Sequence, residues 1–187
     1  MSERYDALRE GVEPGGMLNK NGIRLLVCYL LKSLDHPVSR EVINGGLCGS
    51  GLANYFEVGS ALGALCDKGL VAVSDGETET YTVTTEGAAV AAELERDLPR
   101  SVRRKAVESA AYFETAERRR RENSVTVRDS AGGYAVTLHA GRPADPLMDI
   151  TVYVATEEQV DMMRASFMRN PEKLCEKVFN MLIESES

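Results

Sequence analysis

At 187 residues, with 43% apolar and 27% charged residues, the chain is long enough to bury one or two real cores, and its composition excludes fibrous and low-complexity classes. Its longest apolar run, Leu25 to Leu31, is far too short to cross a bilayer, and no apolar stretch before Gly22 has the form of a secretory signal. A net charge of −7 argues against a general nucleic-acid coat, yet residues 100–128 hold nine Lys/Arg against four Asp/Glu, a basic island in an acidic chain.

Residues 1–18, with Pro14-Gly15-Gly16 and no periodic pattern, read as a flexible N-terminal arm. Ile23, Leu26, Val27, Leu30, Leu31 and Leu34 then recur at the spacing of an amphipathic helix, which ends at Asp35-His36-Pro37. Ser39 is placed to cap a second helix, with Val38 and Ile43 as a hydrophobic staple. That helix is expected to be short, interrupted by Gly45-Gly46 and the loop Cys48-Gly49-Ser50-Gly51. A third helix is predicted from about Asn54 to Lys68, stopped by Gly69, with Val58, Leu62, Leu65 and Cys66 inward and Phe56 alongside them. Two β-prone runs, Leu70 to Val73 and Tyr81 to Thr84, flank Asp75-Gly76-Glu77 and read as a hairpin. Thr85 is expected to cap a fourth helix running to about Leu98, and a long basic fifth helix spans about Ser101 to Arg121.

The last third changes period. Val125 and Val127, then Tyr134, Val136 and Leu138, then Met148, Ile150, Val152 and Val154 alternate with polar residues, which predicts three antiparallel strands with one buried face. Thr156 and Gln159 form a capping box for the next helix, and Asn170-Pro171 opens a last one carrying Leu174, Val178, Met181 and Leu182.

Helix, short helix, turn, helix, hairpin is the order of a winged helix-turn-helix, in which three helices bury one another and the third keeps a face free for the major groove. The same order also suits a three-helix cap used for packing or dimerisation, because fold alone does not fix function.

Asn54-Tyr55-Phe56 leading into Leu62, Leu65 and Lys68-Gly69-Leu70-Val71, and then Tyr81-Thr82-Val83-Thr84-Thr85-Glu86-Gly87, resemble the bacterial family known as domain of unknown function 4364. The likeness continues through Leu98-Pro99, the Tyr134-x-Val136-x-Leu138 and Asp149-Ile150-Thr151-Val152 strands and the closing helices, over roughly residues 20–183. The resemblance implies a winged-helix domain and a role in regulating transcription, and it brings no catalytic residues with it.

On the reading face of the third helix the sequence places Glu57, Ser60, Ala61, Ala64 and Lys68, with Asn54 and Tyr55 at its N-terminal end. Asn pairs with adenine, Ser with several base edges and Glu with cytosine, but no arginine is present to grip guanine. Asp75, Glu77 and Glu79 give the hairpin the same charge sign as phosphate. Phosphate contacts are therefore expected from Arg40 at the start of the second helix, from Lys20 and Arg24, and from Arg103, Arg104 and Lys105 on the basic helix. The run Arg118 to Arg121 reads first as a solvated helix end, where cations suit the C-terminal dipole.

The four cysteines are scattered without a Cys-x-x-Cys pair, and His36 and His139 complete no ligand spacing, so no metal, cofactor or enzymatic constellation is expected. The whole reads as an α+β cytoplasmic protein: arm 1–18, winged helix-turn-helix 19–99, basic connecting helix 100–123, and a small antiparallel β-sheet with two helices 124–187. Its expected role is a DNA-binding transcriptional regulator acting on double-stranded DNA as a homodimer, away from membranes. The alternative is a protein-interaction or dimerisation module of the same fold that does not bind DNA. No small-molecule effector is specified by the sequence.

Overall fold

A computed structural model describes residues 19–74, 76 and 78–183. The expected arm over 1–18 and the hairpin acids Asp75 and Glu77 lie outside the described residues. Among the described residues, seven α-helices and two three-stranded antiparallel sheets give a mixed α+β protein, and the contacts divide the chain into two compact units, Met1–Glu114 and Thr115–Ser187. No helix among the described residues is long and apolar enough to cross a membrane.

In the first unit, α1 (Lys20–Leu34) is capped by Asn19, whose side chain accepts from the Gly22 N–H at 2.6 Å. Its stripe of Ile23, Leu26, Val27, Leu30 and Leu31 is buried against α3 (Tyr55–Asp67) and α4 (Thr85–Leu94). At about 1.5–3 kcal/mol for each fully buried aliphatic side chain, this stripe is the main reason the unit coheres. A two-residue strand that periodicity does not reveal, β1 (Val38–Ser39), follows α1 and pairs with β3 (Thr80–Val83), Val38 opposite Tyr81. With β2 (Val71–Ser74) the sheet order is β1-β3-β2.

Ser39 caps α2 (Arg40–Leu47) by accepting from the Val42 N–H, and both staple residues, Val38 and Ile43, are buried. Gly45 and Gly46 do not interrupt this helix as expected; they lie inside it. Their place is explained by α5 (Arg100–Glu122): a Cβ on Gly46 would stand 2.8 Å from the Ala110 Cβ, and one on Gly45 would fall on the Phe113 ring. Helix α4 starts one residue earlier than expected, with Thr84 as its cap, and ends at Leu94, after which Glu95–Asp97 tighten into a 3-10 turn.

In the second unit β4 (Asn123–Ser130), β5 (Gly133–Arg142) and β6 (Asp145–Val154) form a meander in which Val127, Val136 and Val152 face one another across the strands, as do Val125, Leu138 and Ile150. Helices α6 (Glu157–Arg169) and α7 (Pro171–Ile183) supply Val160, Phe167 and Leu174 to that face. The capping box of Thr156 and Gln159 is present at the start of α6. On the opposite face His139 bridges Thr126 at 2.9 Å and Asp149 at 3.0 Å, and the Thr137 and Thr151 hydroxyls bond each other at 2.9 Å.

Candidate nucleic-acid interface

Helix α3 is phased by Val58, Leu62 and Leu65, all buried in the first unit. Ala61, expected on the solvent face, is only 4% exposed, because it stands three residues after Val58 and four before Leu65 on the same side of the helix. Phe56 corrects the reading in the other direction. Two residues before Val58 is over half a turn away, so Phe56 points outward and is 84% exposed, edge-on to the Tyr55 ring with centroids 6.1 Å apart. Ser60 and Gly63 continue this outer face, and Lys68 is exposed at its far end as the C-cap.

Asn54 is committed to the helix itself: its side-chain oxygen accepts from the Glu57 N–H at 2.9 Å, and the residue is buried. Glu57 turns one carboxylate oxygen into the protein, where it has no hydrogen-bond partner among the described residues. A groove of about 190 Å³ beside it joins the starts of α1 and α3, lined by Lys20, Arg24, Phe56, Glu57 and Ser60. The structure thus brings Glu57 and Ser60 together with Lys20 and Arg24, and adds Phe56, whose ring meets that of Tyr55 and which hydrophobicity alone assigns to the inner face.

Arg40 stands at the first position of α2 and is clamped from the hairpin. Its Nε and Nη2 donate to the Tyr81 hydroxyl at 3.2 and 2.5 Å, Nη2 also lies 3.3 Å from Glu79 Oε1, and the guanidinium sits over the Tyr81 ring at 5.6 Å. The Tyr81 hydroxyl in turn donates to Glu79. The bond to Tyr81 holds the guanidinium above its ordinary range against the opposite pull of burial, while burial first and the bond to Glu79 second push the Tyr81 phenol up. Arg40 is thus already met by one hairpin carboxylate.

The basic helix separates into different roles. Arg103 packs over the Tyr29 ring at 5.6 Å and pairs with Glu95 at 3.2 Å, its side chain largely buried. Arg104 is exposed beside Glu108 at 3.9 Å, one turn along, and Lys105 is exposed. In the second unit Arg119 binds Glu172 at 3.2 Å and the Arg169 carbonyl at 2.7 Å, while Arg118 and Arg121 pair with Glu122 and Glu117. Burial pushes the Glu172 carboxyl up, but bonds from its own backbone N–H and from Arg119 outweigh this and hold it below the usual range. Arg120 remains exposed. Three of the four arginines of the run thus have a carboxylate partner within their own unit.

A family model described as domain of unknown function (DUF4364) matches residues 23–182. No curated protein and no solved structure matches the chain.

Proposed function

The chain belongs to the DUF4364 family, whose model covers all but the ends of the molecule, and we propose that it is a winged-helix DNA-binding protein that regulates transcription. The observation that carries this reading is the chain order α1-β1-α2-α3-β2-β3 with the strands arranged β1-β3-β2. In a winged helix that order leaves the outer face of the third helix open beside a two-stranded wing, as a helix entering the major groove requires.

In this reading the N-terminal end of α3 meets base edges through Tyr55, Phe56 and Ser60. Lys20, Arg24 and Arg40 lie around it as the phosphate contacts, and the positive end of the α2 dipole adds to Arg40. Phosphate contacts dominate affinity, so three cations with Glu79 paired to one of them imply modest, strongly salt-dependent binding.

The runner-up is a protein-interaction module of the same fold, favoured by one specific observation: exposed Tyr55 and Phe56 with a half-neutralised Arg40 make a surface more like a protein interface than a DNA grip. Selection of bound duplexes from a random pool, at about 50 mM and again at about 150 mM salt, separates the two. Enrichment of a shared sequence at the lower salt is the expected result. A pool that stays random there would end the DNA-binding reading in favour of the module.

A further inference from the structure

From residue 129 onward the chain is acidic: Arg142, Arg164, Arg169, Lys173 and Lys177 are its only Lys/Arg, against ten Asp/Glu. Three of those five cations line one groove of about 510 Å³ in the second unit, and among the described residues none of the acids lines it. Two helix faces build this groove. Met163, Ser166, Phe167 and Asn170 recur along one side of α6, and Lys173, Leu174 and Lys177 along one side of α7. Leu138 of β5 closes the floor, and it is buried together with Phe167 in the core of the unit. The recess is therefore apolar at its base and cationic at its rim, where Arg169, Lys173 and Lys177 are exposed.

The acids of α7 are turned elsewhere. Glu172 is held by Arg119 at 3.2 Å, and Glu176 lines a different groove, beside Phe179. Arg119 also donates to the Arg169 carbonyl at 2.7 Å, which pins the corner between α6 and α7 and leaves the recess preformed.

We infer that this groove binds an amphipathic organic anion, an aliphatic chain of medium length ending in a carboxylate. Its volume lies within the ~300–1,000 Å³ of small-molecule sites. Burial of the chain on Leu138, Met163, Phe167 and Leu174 supplies most of the affinity, and the pliant Leu and Met side chains suit an unbranched chain. Lys173 and Lys177, one helical turn apart, meet the head together with Arg169, and the positive end of the α7 dipole beside Asn170 adds to them. A nucleic-acid backbone would use the cations and leave the apolar base empty. A wholly apolar ligand would cover three charges without a counter-ion. Only a ligand that carries both an apolar chain and a negative head satisfies both surfaces. The site lies within the second unit and stands whether or not the chain binds DNA.

The test titrates the full chain with octanoate in a calorimeter, with acetate, hexanoate and octylammonium beside it. Octanoate is expected to bind about fifteenfold more tightly than hexanoate, since each buried CH2 contributes roughly fourfold. Acetate, a head without a chain, and octylammonium, the same chain with the opposite charge, are expected not to bind at the same concentrations. Lys173→Gln/Lys177→Gln, changed at two exposed positions, is expected to weaken octanoate about tenfold. Arg120→Gln, an exposed cation outside the groove, is expected to leave it unchanged. Should the lysine variant fail to fold by circular dichroism, amide shifts of the wild type decide: octanoate is expected to move Leu138, Ser166 and Leu174, and shifts confined to other residues overturn the proposal. So does a chain that binds no octanoate, or one that binds acetate or octylammonium equally well. A folded lysine variant with full affinity overturns it too.

Discussion

The ring of Phe113 on α5 occupies the space in which a Cβ on Gly45 of α2 would stand, and Gly49 approaches the same ring, where an added Cβ would lie 2.8 Å away. Gly45 is thus helical in spite of its low propensity, because only hydrogen fits under the ring. Gly45→Ala is expected to lower stability by about 1–3 kcal/mol through overpacking. The same change at Gly59 or Gly63, where an added Cβ meets nothing within 4 Å, is expected to raise it by about 0.5–1 kcal/mol. Denaturant midpoints of the three variants check this, and a Gly45→Ala protein as stable as Gly59→Ala would refute the packing account. Adding Phe113→Ala to Gly45→Ala should cost less than the two single changes together.

Glu79 and Arg40 make opposite predictions about DNA. Arg40→Glu is expected to weaken binding to all duplexes alike and to reduce the slope of log affinity against log salt by about one. Glu79→Gln removes a carboxylate 3.3 Å from the same guanidinium and is expected to strengthen binding and steepen that slope. Its effect on stability should stay within about 1 kcal/mol, since both partners are nearly half exposed. Weaker binding by Glu79→Gln would mean that the pair orients Arg40 for phosphate instead of competing for it.

Long-period features of this chain were legible and non-local ones were not. The α1 stripe announced itself because Ile23, Leu26, Val27, Leu30 and Leu31 share one helix face, and the alternation of Val136 with Leu138 marked β5 in the same way. Strand β1 escaped because it is two residues long and exists only through pairing with Tyr81 and Thr80, some forty positions on. The glycines of α2 escape for a similar reason: their causes, Phe113 for Gly45 and Ala110 for Gly46, lie more than sixty residues away. Phe56 and Ala61 are different, since the phase of Val58, Leu62 and Leu65 contained both answers and hydrophobicity alone overrode it. Asn54 also carried a readable signal, three residues before Glu57 at a helix start, and is now seen bonded to that residue's N–H.

Cys28, in the α1 stripe, and Cys48, just beyond α2, have thiols pushed by burial from 9.0 up to about 11. In the unfolded chain these thiols ionise near their ordinary value, so between about 9 and 11 the unfolded state binds fewer protons than the folded one. The stability they contribute is complete below pH 9 and falls as pH rises through about 11. Unfolding measured from pH 8 to 11 is expected to show a steeper loss for the wild type than for a Cys28→Ala/Cys48→Ala variant, whatever the offset from the lost side-chain volume. Equal slopes would show that the two thiols do not drive it. At pH 8 fewer than about one such thiol in a hundred is ionised, so both should react slowly with iodoacetamide until the chain unfolds.

Phe56 gives the sharpest test of how α3 would read a sequence. Its ring stands 84% exposed at the N-terminal end of the helix, the end that reaches base edges in helix-turn-helix complexes. An aromatic ring offers no hydrogen bond to a base edge, and its partner in the major groove is the C5-methyl group of thymine. Replacing thymine by uracil in a selected duplex deletes that methyl and leaves every hydrogen-bonding group in place. At about 0.8 kcal/mol per buried carbon, one contacted methyl is expected to change affinity roughly fourfold. The change should appear at one or two positions of the selected sequence and vanish in Phe56→Ala, whose own affinity should be lower on thymine and the same on both duplexes. The exposed ring makes no core contact that its removal would break, so a fall in stability cannot imitate this result. Equal binding of thymine and uracil duplexes by the wild type would take Phe56 out of base reading while leaving DNA binding itself standing. A wild type that binds neither would count instead against the winged-helix regulator.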